Sequence, residues 1–168
     1  MIDALSPPTG DRLEPEELRE VAARVAARLE LWRPRYDPDA TERQFAALHR
    51  DETLDVWAIF WLPEHDTGWH DHDVSSGAVH VVEGALEEHV LRLARPERCT
   101  RHPAGSVFTF GPSHIHRITC GAPRATSIHA YSPPLWRLGQ YTLTEDGALR
   151  RVSVSYADEL RPLKAAAA

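Results

Sequence analysis

The stretch that decides the fold is residues 68–84, which read GWHDHDVSSGAVHVVEG. A polar segment with two histidines leads into an apolar run at 78–82, and a Glu-Gly turn follows that run. Short runs rich in β-branched residues between turn signals are typical of β-strands. The stretch therefore predicts short strands joined by tight turns.

The same pattern of short apolar runs between turn residues continues on both sides of this stretch, from about residue 43 onward. The apolar runs favour Val, Ile, Phe and Trp, and several alternate with polar residues at the period of two that a strand has. They cover residues 56–62, 87–93, 106–110, 117–120, 126–131 and 148–155. Many short strands with regular turns predict an antiparallel sandwich or barrel, so the chain is expected to be mainly β.

One helix is predicted ahead of the strands, over residues 15–32. Pro15 stands near its start, where the missing N–H costs nothing, and apolar residues follow at helical spacing from Leu18 to Leu29. This apolar face is expected to pack on the outside of the sheet. The predicted organisation is an N-terminal arm and helix at 1–42, a β-domain at 43–160 and a tail at 161–168.

Charge and composition argue against several kinds of partner. The formal net charge of −6 does not favour nucleic acid. No apolar run reaches the roughly 18 residues that span a bilayer, and residues 1–19 lack the basic start and apolar stretch of a secretory leader. We therefore expect no nucleic-acid or membrane partner and a cytoplasmic location, with reduced thiols at Cys99 and Cys120, which form no CxxC motif.

The chain contains ten histidines, and four of them form two His-x-His segments. Because residues i and i+2 of a strand point to the same face, His70 and His72 can present two imidazoles to one point. A third ligand is expected from His114-Ile115-His116, and three imidazoles suit a first-row transition metal. The spacing alone leaves open a histidine-rich rim without a metal. The isolated histidines are expected to be mostly exposed: His49, His65, His80, His89 and His102.

A third polar feature lies in the segment Ser127-Ile128-His129-Ala130-Tyr131. Ser127, His129 and Tyr131 share one face of a predicted strand, and the two apolar residues share the other. Polar groups that faced a core without partners would each cost a few kcal/mol. Either this face lines a polar pocket as a hydrogen-bonded row, or the segment is an edge strand with a solvated face.

Three segments together resemble the cysteine dioxygenase family, in particular its shorter bacterial members. They are GWHDHDVSSGAVHVVEGALEEHV at 68–90, PAGSVFTFGPSHIHRI at 103–118 and SIHAYSPPL at 127–135. They occur in the family's order, and the resemblance covers roughly residues 43–145. It implies the cupin fold, a small antiparallel β-barrel or jelly roll, here with an N-terminal helix.

The resemblance also implies a role for each matching residue. The three ligands of a ferrous iron site are matched by His70, His72 and His116, so that His114 does not bind the metal. Such a site needs no organic cofactor and leaves positions open for a substrate thiolate and dioxygen. The catalytic row of the family is matched by Ser127, His129 and Tyr131. The Tyr131 hydroxyl is expected to lie near the bound thiolate and to contact the substrate.

Two departures from related patterns concern the residues just after the first histidine pair. Many cupins carry a glutamate ligand four or five residues after that pair, where Ser76 and Gly77 stand here. The missing carboxylate favours a three-histidine thiol oxygenase. Some family members also carry, at the Gly77 position, a cysteine that is cross-linked to the tyrosine, so Tyr131 is expected to be unmodified.

Another departure bears on the substrate. Family members that use cysteine hold its carboxylate with an arginine on an early strand, and Ala47 stands at that position here. Alanine cannot replace the bidentate fork of an arginine. Arg50 is the predicted substitute in substrate binding. Arg43 is the alternative, although it precedes the strand.

The sequence therefore predicts an iron-dependent thiol dioxygenase that oxidises a small thiol, with L-cysteine as the leading substrate, to a sulfinic acid. The alternatives are another metal-dependent cupin oxygenase that acts on a different small molecule, which the Ala47 departure motivates, and a non-enzymatic metal-binding cupin. The expected partners are a small thiol and dioxygen, and the expected oligomeric state is a monomer.

Overall fold

The computed structural model describes residues 10–92, 95–144 and 148–155, which form a mainly β structure behind an N-terminal helix. The helices are α1 (Pro15–Ala26), α2 (Leu29–Trp32) and a 3-10 helix (Arg33–Arg35). The first strands are β1 (Gln44–Arg50), β2 (Asp55–Trp61), β3 (Trp69–Asp71), β4 (Ser76–Glu83), β5 (Ala85–Arg92) and β6 (Arg95–Pro103). The remaining strands are β7 (Val107–Phe110), β8 (His116–Cys120), β9 (Ala125–Ser132), β10 (Arg137–Leu143) and β11 (Leu149–Ser155).

The strands form two antiparallel sheets. One sheet has the order β1-β2-β9-β4-β7, and the other has the order β11-β10-β3-β8-β5-β6. Apolar side chains of both sheets meet in one cluster, in which Trp61 and Val79 of the first sheet pack with Leu86 and Ile118 of the second. The core therefore lies between the sheets, and the predicted mainly β cupin fold is confirmed.

Helix α1 covers the outer face of the five-stranded sheet, as its apolar face predicted. Leu18, Ala22 and Ala26 are buried against that sheet, in a second apolar cluster that includes Ile128 and Ala130 of β9. Strand β9 is thus covered on both faces, by α1 on one side and by the second sheet on the other. Residues of β9 that alternate away from the helix point into the space between the sheets.

The predicted helix at 15–32 is wrong only in being continuous, because α1 ends at Ala26 and α2 begins at Leu29. Arg28 has a non-helical backbone, with φ −101° and ψ 77°, and the helical path resumes at Leu29. The break lets the indole N–H of Trp32 donate to the carbonyl of Ala26 at 3.2 Å, with Trp32 only 1% exposed. Leu29, which the helical spacing assigned to the buried face, is instead 49% exposed.

Strands β6 and β10 were not among the predicted runs. Strand β6 lies at an edge of the six-stranded sheet, and its mostly exposed, charged sequence carries no apolar periodicity. The predicted division of the chain near residue 43 stays a prediction, and the predicted tail at 161–168 lies outside the described residues. Within the described part of the chain, no helix is long and apolar enough to cross a membrane.

Strand β3 is short, and a buried carboxylate on its outer side holds it in the sheet. Asp71 accepts hydrogen bonds from the backbone N–H of Gly139 at 3.0 Å and from Arg151 Nε and Nη2, both at 3.0 Å. Burial alone would raise the pKa of Asp71, but these bonds and the Tyr141 hydroxyl lower it to about 2. A Cβ at Gly139 would lie 2.3 Å from Arg151 Nε, so only glycine leaves room for this ion pair.

Candidate metal centre

Three histidines from two neighbouring strands meet between the sheets. His70 lies on β3 directly opposite His116, the first residue of β8, and His72 follows the end of β3. One ring nitrogen of each histidine lies within 4.8 Å of a ring nitrogen of the other two. His70 is 3% exposed, His116 is 0% exposed and His72 is 1% exposed. The cross-strand pairing of His70 with His116 brings together residues that are far apart in the sequence.

The hydrogen bonds of His70 and His116 determine which ring nitrogen of each carries a lone pair. His70 Nδ1 donates to the carbonyl of Gly68 at 3.0 Å, so its proton is on that nitrogen and Nε2 carries the lone pair. His116 Nε2 and His72 Nδ1 are buried without a hydrogen-bond partner among the described residues. Because unpaired buried polar atoms are costly, this donor set fits a bound transition metal ion.

Burial also keeps His72 and His116 in the neutral form that a metal needs. It lowers the pKa of His72 well below its ordinary value, and the neighbouring imidazoles act in the same direction. Burial lowers the pKa of His116 to about 3, although Glu88 acts in the opposite direction. Neutral imidazoles can bind a cation near neutral pH without first losing a proton.

Glu88 is a buried carboxylate beside the three histidines that was not predicted from the sequence. Its Oε1 accepts from His116 Nδ1 at 2.9 Å and from His114 Nε2 at 3.0 Å. Burial would raise the pKa of Glu88, but these two bonds hold it well below its ordinary value, so it is a carboxylate. The available signal was its position between Leu86 and Val90, where a charge replaces an apolar residue in an alternating strand.

Glu88 also belongs to a second possible metal group, together with His114 and His116. The hydrogen bond between Glu88 and His116 Nδ1 argues against that arrangement, because it directs the other nitrogen, Nε2, away from the carboxylate. A carboxylate behind a histidine ligand fixes the ring's tautomer and orientation. We therefore assign Glu88 to orienting His116.

The row on β9 forms a chain of hydrogen bonds that ends beside the three histidines. Ser127 Oγ lies 2.8 Å from His129 Nε2, and His129 Nδ1 lies 3.0 Å from the Tyr131 hydroxyl. The Tyr131 ring centroid is 5.2 Å from that of His72. All eight residues of β9 are buried, and the strand is central in its sheet, which excludes an edge strand with a solvated face.

Trp61 extends this row by one residue, through a hydrogen bond that the sequence did not predict. Its indole N–H donates to Ser127 Oγ at 2.9 Å, and its ring stacks on that of His129. Burial lowers the pKa of His129 to about 3, so its ring is neutral. The row therefore connects neutral partners from Trp61 to Tyr131.

The structure places Arg43, and not the predicted Arg50, at the wall of the pocket. The lining of this pocket includes the three histidines, Tyr131 and Arg43. Arg43 lies over the Trp61 ring, with 5.6 Å between its Cζ and the ring centroid. Arg50 instead pairs with the buried Asp55 and donates to the carbonyl of Leu135 at 2.8 Å.

Gly77 lies opposite Tyr131 in the β4–β9 pair, as a cross-linking residue would. The space beside it is already filled, because a Cβ at Gly77 would lie 2.4 Å from the Phe110 ring and 3.1 Å from Cδ1 of Tyr131. The Phe110 ring also stacks on His72, with the centroids 4.5 Å apart. A phenylalanine thus packs where a cross-linked cysteine side chain would need room.

The isolated histidines were expected to be mostly exposed, and this expectation is wrong. Only His49 among the five is exposed, and the others are half-buried. His102, for example, lies 3.4 Å from Oε2 of Glu88 and stacks on Phe108. Strand pairing gives such residues neighbours that their sequence context does not indicate.

We expect Glu88→Gln to lower the affinity of the centre for a divalent metal by about 10- to 100-fold, because outer hydrogen-bond partners of metal ligands typically contribute that much. Competition of the purified protein with a metal-chelating dye measures the affinity. The exposed carboxylate of Glu64 offers a matched control, so Glu64→Gln should leave the affinity unchanged. Equal affinities of Glu88→Gln and the unsubstituted protein would contradict the orienting role.

Comparison with known proteins agrees with this architecture. The family model described as cysteine dioxygenase type I matches residues 14–143. No curated protein matches the sequence significantly.

Solved structures that resemble the chain share its fold at low sequence identity. A Klebsiella pneumoniae protein with a double-stranded β-helix domain is 16% identical, with a TM-score of 0.54, and the match covers 70% of this chain and 91% of that one. A Thermus thermophilus protein is 14% identical, with a TM-score of 0.51 and coverage of 60% and 92%. An oxalate oxidase is 12% identical, with a TM-score of 0.53 and coverage of 64% and 60%.

At these identities the structural likeness shows the fold alone, and the family follows from the sequence match. Because that match covers well over half of the chain, the protein belongs to the cysteine dioxygenase type I family of metal-dependent cupin dioxygenases.

Proposed function

We propose that this protein is a ferrous iron thiol dioxygenase that oxidises a small thiol, with L-cysteine as the expected substrate, to a sulfinic acid. The reaction adds both atoms of dioxygen to sulfur, so that R–SH and O2 become R–SO2H. The observation that carries the proposal is a buried three-histidine cluster, with its carboxylate behind His116, at the end of the β9 hydrogen-bonded row.

His70, His72 and His116 are the proposed ligands. Three neutral imidazoles leave a bound ferrous ion with its full charge, so that it would supply binding positions for a thiolate and for dioxygen and the means to activate the latter. Affinity alone favours copper or zinc over ferrous iron in a histidine site. Activity is therefore expected to depend on which metal is loaded.

The hydrogen-bonded row of Ser127, His129 and Tyr131 on β9 would place a proton donor, the Tyr131 hydroxyl, in the pocket. Trp61 donates to Ser127 Oγ, so the acceptor available to the Ser127 hydroxyl within the row is His129 Nε2. His129 then carries its proton on Nδ1 and donates to the Tyr131 oxygen. The Tyr131 O–H would then point toward the substrate and stabilise charge on the reacting sulfur and oxygen atoms.

Arg43 is the proposed anchor for a substrate carboxylate. Arg50 was the residue predicted for this role, but its guanidinium is engaged by Asp55 and the Leu135 carbonyl, and it does not line the pocket. Arg43 does line it, beside Trp61. The carboxylate would then be held from the segment before β1 instead of from the Ala47 position within that strand.

The test of the function is oxygen uptake by the iron-loaded protein with L-cysteine, cysteamine and 3-mercaptopropionate, with products identified by mass. We expect uptake with L-cysteine and a product that is two oxygen atoms heavier than the thiol. Protein reconstituted with zinc provides the control and should consume no oxygen. Lack of uptake with all three thiols would reject the proposal and favour a cupin oxygenase for a different small molecule, the alternative that Ala47 motivates.

We expect Arg43→Gln to raise the KM for L-cysteine by about 10- to 100-fold, because a charged hydrogen bond to a carboxylate contributes about 1.5–3 kcal/mol. The KM for cysteamine, which has no carboxylate, should change little. Arg98→Gln, on the exposed edge strand β6, is the matched control. An equal rise for both thiols would show that Arg43 acts on the pocket in general and does not anchor a carboxylate.

Tyr131→Phe removes the proposed proton donor while keeping the ring that packs beside His72. The expected result is a fall in kcat of about 10²-fold with little change in KM, as for the loss of one acid–base group. Tyr36→Phe, on the helix side of the five-stranded sheet, should leave both constants unchanged. A Tyr131→Phe protein with undiminished kcat would exclude a catalytic hydroxyl at this position.

A further inference from the structure

We propose that Glu87, His89 and Cys99 form a second metal site, for a thiolate-binding divalent ion such as Zn²⁺, on the outer face of the six-stranded sheet. This site is separate from the centre between the sheets and goes beyond the proposed dioxygenase function. One ligand atom from each of the three residues lies within 4.8 Å of the other two.

Strand pairing brings these three side chains to one face. His89 on β5 lies directly opposite Cys99 on β6, and Glu87 precedes His89 by two residues, so all three share a side of the sheet. Glu88, which lies between Glu87 and His89, points the other way and contacts His116. The two groups of ligands therefore lie on opposite faces of β5.

The distance between the two strongest ligand atoms suits a tetrahedral ion. Cys99 Sγ lies 3.8 Å from His89 Nε2. With Zn–S near 2.3 Å and Zn–N near 2.0–2.1 Å, a tetrahedral ion would hold sulfur and nitrogen about 3.6 Å apart. A shift of a few tenths of an ångström would bring both atoms into coordination.

A carboxylate orients the histidine in the way that metal-binding histidines require. Glu97, also on β6, accepts from His89 Nδ1, with 3.1 Å between Oε1 and the nitrogen. The bond puts the proton on Nδ1 and leaves the lone pair on Nε2, the nitrogen that faces the sulfur. A carboxylate, a histidine and a cation in this order recur in zinc sites, and the His89 side chain is only 16% exposed.

The third ligand, Glu87, would exchange a weak partner for the ion. It pairs with Arg101 at 3.3 Å, and both side chains are exposed. Such a surface ion pair contributes little and does not compete strongly with a divalent ion. Binding would replace the S–H proton of Cys99 by the metal and release that proton to solvent, and a water molecule would complete four coordination.

Cobalt titration of the full-length, phosphine-reduced protein tests the site, because Co²⁺ bound to a thiolate shows a near-ultraviolet sulfur-to-metal charge-transfer band. Cobalt in the three-histidine centre has no sulfur ligand and does not contribute to this band. We expect one thiolate band per chain, lost in Cys99→Ser and kept in Cys120→Ser, which removes the other thiol. Absence of the band in the unsubstituted protein, or its persistence in Cys99→Ser, would overturn the proposal.

The orienting carboxylate gives a second, independent measurement. Competition for Zn²⁺ with a chelating dye should show the affinity of this site falling about 10-fold in Glu97→Gln. The loss should be larger in His89→Gln, which removes a ligand. Far-ultraviolet circular dichroism checks that both variants fold. Folded variants with unchanged zinc affinity and an unchanged cobalt band would also overturn the proposal.

Discussion

Burial of imidazole nitrogens without hydrogen-bond partners is the constraint on which the centre depends. A buried polar atom without a partner costs about 1–3 kcal/mol, and His72 Nδ1 and His116 Nε2 are two such atoms among the residues that the structure describes. The same burial disfavours the imidazolium form and keeps both rings neutral. Stability and metal affinity are therefore linked, because an ion bound by His116 Nε2 would remove the penalty at that nitrogen.

The residues around the three histidines act chiefly by fixing the orientation of the imidazole rings. Glu88 accepts a hydrogen bond from the ring N–H of His116, and the Gly68 carbonyl accepts one from that of His70, which leaves Nε2 of each ring for the centre. On its other side, β3 is held by Asp71, whose ion pair with Arg151 has room only because residue 139 is glycine. A strand of three residues can thus carry a ligand with little freedom to move.

Strand β9 shows how one segment serves both the core and the site. Its apolar residues pack under α1, and its polar residues form the row from Ser127 to Tyr131 between the sheets. Both faces are covered, so the polar face must satisfy its own hydrogen bonds, and with Trp61 it does so. The same alternation on β5 puts Glu88 inside and leaves Glu87 and His89 outside.

From the sequence alone, the local alternation of residues determined most of the strands and the face of the strand on which the candidate site residues lie. The period of two places His70 and His72 on one face and Ser127, His129 and Tyr131 on another, because side-chain direction along a strand is a local property. It also identifies most strands, although not β10 and not β6, where charged residues on an exposed edge leave no pattern. Only the tertiary structure decided which residues meet across strands. Register is set by pairing between distant segments, and it determines that His116 faces His70, that Glu88 supports His116, and that Arg43 and not Arg50 reaches the pocket.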